Sequence, residues 1–260
     1  MPFTPAHAAP ALPLLRLRLV PSALVVGTMA PDFEYFLRLA PGGGFGHTAS
    51  GAFLLSLPMA LAVLWIFHAL VKAPLVHLFP DAIRLRIAGR IGPFRFGGPG
   101  RFVLIAVSAL VGIATHIVWD SFTHSYTWPV HYLPWLTQRV TVPLLGSIEH
   151  CSILQHLSTM LGLLAVVAWV VHWYRNTPPA GIDRAPAISA SRRYMVLGCI
   201  GSAAILGGII RALVVLDTPG LRHKWETVIA DGTVTGIALA WWVLVLYAVI
   251  SARPRLRVAV

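Results

Sequence analysis

The sequence predicts an all-α fold: a polytopic membrane helical bundle of about five transmembrane helices with an N-terminal half-helix. Composition is the first reason. Of 260 residues, 57% are apolar and only 11% charged, with a mean hydropathy of +0.76. Soluble domains run near 45–50% apolar and about 25% charged, which excludes an ordinary soluble protein. Length is the second: five apolar stretches approach the roughly 20 helical residues that cross a bilayer core. The third is that basic residues collect in alternate connections between those stretches, the pattern that sets topology.

Taken in order, the chain reads as one integral membrane domain over residues 1–260. Residues 1–47 form an N-terminal site segment, 48–174 carry core helices with a His/Asp cluster, and 175–260 add two further spans. Leu19–Met29 is apolar but too short to cross and contains Pro21, so a re-entrant or buried half-helix is expected. The expected spans are Thr48–Val71, Phe102–Thr123, Ile153–Tyr174, Tyr194–Leu216 and Gly232–Ala252, with a kink at Pro58 in the first.

Lys72, Arg84, Arg86, Arg90, Arg95 and Arg101 fill the first connection. Arg175, Arg184, Arg192 and Arg193 fill the third, and Arg253, Arg255 and Arg257 the tail. The other connections hold Arg139 alone, or Arg222 and Lys224 offset by Asp217, Glu226 and Asp231. The positive-inside rule puts the Arg-rich connections in the cytoplasm and the N-terminal region outside. The net charge of +11 follows these loops rather than one stripe, so membrane lipids are the expected partner and nucleic acid is not. Cys151 lies just before a span and Cys199 within one, which argues against a disulfide or a thiolate metal site. Arg16 and Arg18 interrupt the first apolar run, so an ordinary signal peptide is not expected.

The stretch Thr115–His124 carries the chemistry. His116, Asp120 and His124 follow at four-residue spacing, and four steps of about 100° overshoot a full turn by only about 40°. One helix face would therefore hold all three. A charge at the bilayer centre costs roughly 2.5–3.5 kcal/mol on insertion scales, so such a row needs a bound cation or buried partners. On the expected topology His7, Asp32, Glu34, His47, Glu149, His150 and His156 fall at the same outer face. His7, Asp32, His47, His116 and Asp120 are the candidate metal ligands, with His156 a possible addition and Glu34 or His124 moving protons. Imidazole and carboxylate without thiolate suit zinc, manganese or iron; zinc is expected, as one or two ions.

Other polar residues have plainer readings. His68, His77, His131, His172 and His223 read as interfacial side chains, and Trp128, Tyr132 and Trp135 as an aromatic belt. Arg211 can snorkel or pair with Asp217.

The chain resembles the bacterial membrane family labelled domain of unknown function DUF4184. The resemblance rests on Met1–Pro10, Gly27–Tyr35, His47, His116–His124 and Gln155-His156, and covers most of the N-terminal two-thirds. More distantly it is similar to YdjM-like membrane-bound metal-dependent hydrolases. These pair an early His, a Pro-Asp turn, a mid-chain His and a His-x-x-x-Asp helix, which fall here on His7, Pro31-Asp32, His47 and His116/Asp120. The chain departs from that pattern where Phe33-Glu34 replaces a second Asp and its following His. Zinc-dependent phospholipases C also use a His-x-x-x-Asp helix. These resemblances imply a metal-dependent hydrolase of a lipid or lipid-linked phosphoester at the outer face of a bacterial inner membrane. A metal or proton-coupled transporter and an inert helical scaffold are the alternatives.

Overall fold

A computed structural model describes residues 3–42, 44–142, 146–180, 188–220 and 224–256. Met1, Pro2, Arg184, Arg222, His223 and Arg257, all used above, lie outside the described residues. The fold is all-α, 77% helical, with five helices long and apolar enough to cross a membrane. It is a multi-pass membrane protein.

The chain opens with a 3-10 turn, Thr4–Ala8, a single helical turn α1 (Ala11–Leu14) and the half-helix α2 (Pro21–Gly27). A 3-10 turn at Ala30–Asp32 leads into α3 (Phe33–Arg38), and another at Phe45–His47 into the first long helix, α4 (Ala49–Leu78). The short α5 (Asp81–Ala88) precedes the second, α6 (Pro99–Ser121). Then come α7 (Trp128–Tyr132), α8 (Pro134–Thr137) and an antiparallel hairpin of β1 (Arg139–Val142) and β2 (Gly146–Glu149). The remaining long helices are α9 (His150–Asn176), α10 (Ala190–Leu216) and α11 (Lys224–Leu256). The hairpin was not expected. Val140, Thr141 and Ile148 favour strands, and Arg139 pairs with Glu149 across it at 2.8 Å.

Two compact units interleave along the sequence. The first comprises Met1–Asp32, Gly44–Ala62 and Phe96–Asn176. Its centre is the contact of α2 with α6. The Val20 amide donates to Ser108 Oγ at 2.9 Å, and eight residues on, the Thr28 carbonyl meets the His116 ring at 2.7 Å. Eight residues on α6 match those eight, so the two segments run parallel for about 12 Å. This half-helix starts level with the interior of α6 and does not cross. Glycine allows the approach: a Cβ on Gly27 would overlap the Ala109 carbonyl, and one on Gly112 the Leu24 carbonyl.

In α4, π-helical turns occupy Ala52–Ser56 and Phe67–Val71. The first ends two residues before Pro58, whose ring would otherwise meet the carbonyl of Leu54; the wider turn relieves that contact. Helix α6 ends at Ser121, with Phe122 as its C-cap, so His124 is not on the helix as the spacing suggested.

The second unit comprises Phe33–Gly43, Val63–Arg95 and Thr177–Val260. Here α10 and α11 meet through Gly208, Gly232 and Gly236, whose missing side chains let the backbones approach. Arg211 pairs with Asp231 (Nη2–Oδ2 2.7 Å), not with Asp217. The reason is that α11 begins eight residues before Gly232, which carries Asp231 into the helix and buries it. Helix formation continues through the carboxylate because the guanidinium neutralises it.

Gly112→Val should be destabilised by about 1–3 kcal/mol, because the new side chain pushes α2 off α6. Gly198→Ala, whose Cβ meets nothing within 4 Å, should leave the melting temperature unchanged or slightly raised. Thermal melts of the two variants in detergent check this.

Candidate metal centre

Four short pieces of the first unit deliver the site. The 3-10 turn Thr4–Ala8 carries His7, and its position is fixed on α9 by the Phe3 amide donating to Thr159 Oγ1 at 3.0 Å. The turn after α2 carries Asp32, held by its amide on the Met29 carbonyl. The turn before α4 carries His47. Gly46 in that turn lies so close to the Pro31 carbonyl that a Cβ would sit 2.7 Å from it, which brings His47 beside Asp32. The Gly46 carbonyl accepts from buried Ser56 Oγ at 3.0 Å, and the Thr48 side chain caps α4 by accepting from the Gly51 amide. His116 and Asp120 stand one turn apart near the end of α6.

These pieces bring four ligand atoms together. His47 Nε2 lies 3.2 Å from His116 Nε2, 3.3 Å from Asp32 Oδ1 and 3.5 Å from Asp120 Oδ2. His116 Nε2 lies 3.5 Å from Asp32 Oδ1 and 3.4 Å from Asp120 Oδ2. Charge-assisted N–H···O bonds are shorter, about 2.7–2.9 Å. Four ligands tetrahedrally placed about 2.0–2.1 Å from one ion would instead be roughly 3.3–3.4 Å apart. The spacings among Asp32 Oδ1, His47 Nε2 and His116 Nε2 fit three ligands that could share one ion.

The surrounding bonds fix the orientation of these groups. His116 Nδ1 donates to the Thr28 carbonyl at 2.7 Å, which turns Nε2 towards the cluster. Thr4 Oγ1 donates to Asp32 Oδ2 at 2.6 Å, leaving Oδ1 for the cluster. Asp120 divides its oxygens: Oδ2 faces His47 and His116, and Oδ1 lies 3.3 Å from His7 Nε2. The His7 and His116 rings stack with centroids 3.8 Å apart. Both Asp120 oxygens, Asp32 Oδ1 and His7 Nε2 are buried without a hydrogen-bond partner. A buried carboxylate in that state is costly unless a cation compensates it.

Outside the spans, Asp32 titrates well below the usual carboxylate range: burial opposes this, but the adjacent His116 and His47 rings outweigh it. His47 is raised, its burial outweighed by Asp120 and Asp32, whereas burial lowers His7 despite Asp120 beside it. Among the described residues, two groups have the arrangement to hold a metal ion: Asp32, His47 and His116, and His7, His116 and Asp120.

All five expected ligands therefore converge. His124 comes close by another route: past the end of α6 its Nδ1 turns back to the Asp120 carbonyl at 2.8 Å, and Nε2 is buried without a partner. Glu34, in the second unit, is bound by Arg38 one helical turn on. His156 is exposed on α9 and belongs to neither group. His150 faces the Trp135 carbonyl at 2.7 Å. Sequence reasoning did not assign Thr4 a role. Its signal was its place three residues before His7, since a 3-10 turn puts such residues on one side.

A family model described as "Domain of unknown function (DUF4184)" matches residues 1–249, and the chain belongs to that family. No curated protein and no solved structure matches it, so the similarity to YdjM-like hydrolases gains no support from these comparisons.

Thr4→Val should lose about 1.5–3 kcal/mol of stability in metal-free protein, the worth of a hydrogen bond to a charged group, and Thr4→Ser should recover most of it. Chemical denaturation of the three proteins in chelator measures this.

Proposed function

We propose that this DUF4184 protein is a metal-dependent hydrolase acting on a lipid or lipid-linked phosphoester at the outer face of a bacterial inner membrane. The observation that carries the reading is that His47 Nε2 and His116 Nε2 lie 3.2–3.5 Å from each other and from both Asp32 Oδ1 and Asp120 Oδ2, with buried carboxylate oxygens that no donor satisfies. His47, His116, Asp32 and Asp120 would hold the ion. The nitrogen and oxygen donors, without thiolate, suit zinc. An ion so held would lower the pKa of a bound water from 15.7 towards about 7 and would supply the nucleophile of a hydrolysis at neutral pH.

The protein's own residues do the rest. Thr4 and the Thr28 carbonyl fix the ligands in the orientation the ion needs. His124, with Nδ1 donating to the Asp120 carbonyl, keeps a free Nε2 beside the cluster to take a proton from water and return it to the leaving oxygen. Exposed Tyr126, Trp128, Tyr132 and Trp135 follow directly after His124 in the chain. Behind α7 and α8, Val130 and Leu136 are buried with Cys151, so the aromatic side faces outward as a band suited to the headgroup level of a bilayer. A lipid substrate would meet the site at that depth. The alternation of Arg-rich connections supports placing this end on the extracytoplasmic side.

Elemental analysis of detergent-purified protein should find at least one equivalent of divalent metal, zinc foremost. His116→Ala and Asp120→Asn should lose the metal together with phosphoester hydrolysis. His124→Ala should keep the metal and lose roughly 10²–10⁴-fold in kcat. Wild-type protein that is folded, hydrolyses its substrate and contains no metal would refute the proposal.

A further inference from the structure

We infer that the site is dinuclear: the Asp120 carboxylate bridges two divalent cations, the second held by His7. This rests on the reading above, that the four-atom cluster holds the first. The cluster uses Asp120 Oδ2 and leaves Oδ1 outside it. Oδ1 has its own neighbour, His7 Nε2, at 3.3 Å. Both atoms are buried, on residues only 4% and 2% exposed, and neither has a hydrogen-bond partner. If His7 merely oriented Asp120, its Nε2–H would point along a short bond to Oδ1. At this distance, and without bonding geometry, the pair instead resembles two ligands around a common ion, as in the cluster beside it.

The spacing of the two imidazoles supports two ions rather than one. His7 and His116 are stacked with centroids 3.8 Å apart and planes within 21°. Their Nε2 atoms approach opposite oxygens of one carboxylate, at 3.3 and 3.4 Å. An imidazole binds a metal in the plane of its ring, so ions on two such rings are separated by about the stacking distance. Paired catalytic ions are typically about 3.5–4 Å apart, a separation at which both can grip the oxygens of a phosphoryl group. The second ion, with two protein ligands, keeps its other positions for water and substrate oxygen. Such a pair suits a phosphate ester, whose two non-bridging oxygens can each face one ion.

The test is metal content and spin coupling of the full-length protein, purified in detergent and dialysed against manganese. Wild-type protein should bind two equivalents and give the electron paramagnetic resonance spectrum of a coupled manganese pair. His7→Ala should bind one equivalent and give an uncoupled spectrum, and His7→Gln serves if the alanine variant does not fold. One equivalent in the wild type, or two retained in the His7 variants, overturns the dinuclear site while leaving the first ion standing. No manganese in the wild type overturns both readings.

Discussion

A carboxylate with both oxygens buried and no donor within hydrogen-bonding geometry is the constraint around which the first unit is built. Asp120 sits one turn from His116 on a helix that otherwise reads as lipid-crossing, and it is 4% exposed. Leaving such a group bare is far costlier than the few kcal/mol by which a fold of this size is stable. The neighbouring chain pieces gather polar groups around it. The parallel α2 ends where Thr28 can orient His116, the following turn supplies Asp32, and the turn before α4 supplies His47.

That dependence explains where glycine appears. Gly27, Gly112 and Gly46 lie where backbone must approach backbone closely for the donors to converge, and each would place a Cβ inside another residue's carbonyl. The same economy recurs in the second unit for a different end. There Gly208 and Gly232 bring α10 and α11 together, and the buried charge of Asp231 is met by Arg211. One unit thus balances its buried carboxylate with a hydrogen-bonded guanidinium, whereas the other presents oxygens that no donor meets in hydrogen-bond geometry.

The helical architecture was legible because hydropathy and length dominate in a membrane, where backbone groups must satisfy one another internally. The five long helices and the half-helix followed from that alone, and so did the His and Asp residues that converge, since polar side chains stand out against an apolar background. Local endings were less legible. Nothing in Thr115–His124 marks Ser121 as the last helical residue, because a helix stop there depends on the Asp120 and Trp119 carbonyls finding the Phe122 amide. Asp231 was misplaced in a loop because its neutralising partner is twenty residues away in sequence. The hairpin of β1 and β2 was hidden by its shortness: four residues on each side give too little alternation to register.

The anchorage of Phe3 on Thr159 has a consequence for biogenesis. The two are 156 residues apart, so the segment around Phe3 finds its resting place only after α9 has begun to emerge from the ribosome. At synthesis rates of about 5–20 residues per second, this is a delay of roughly 8–30 s. During that interval the His7 imidazole has no fixed home, and the cluster is incomplete. Its assembly therefore waits on α9 and not on the two long helices that follow.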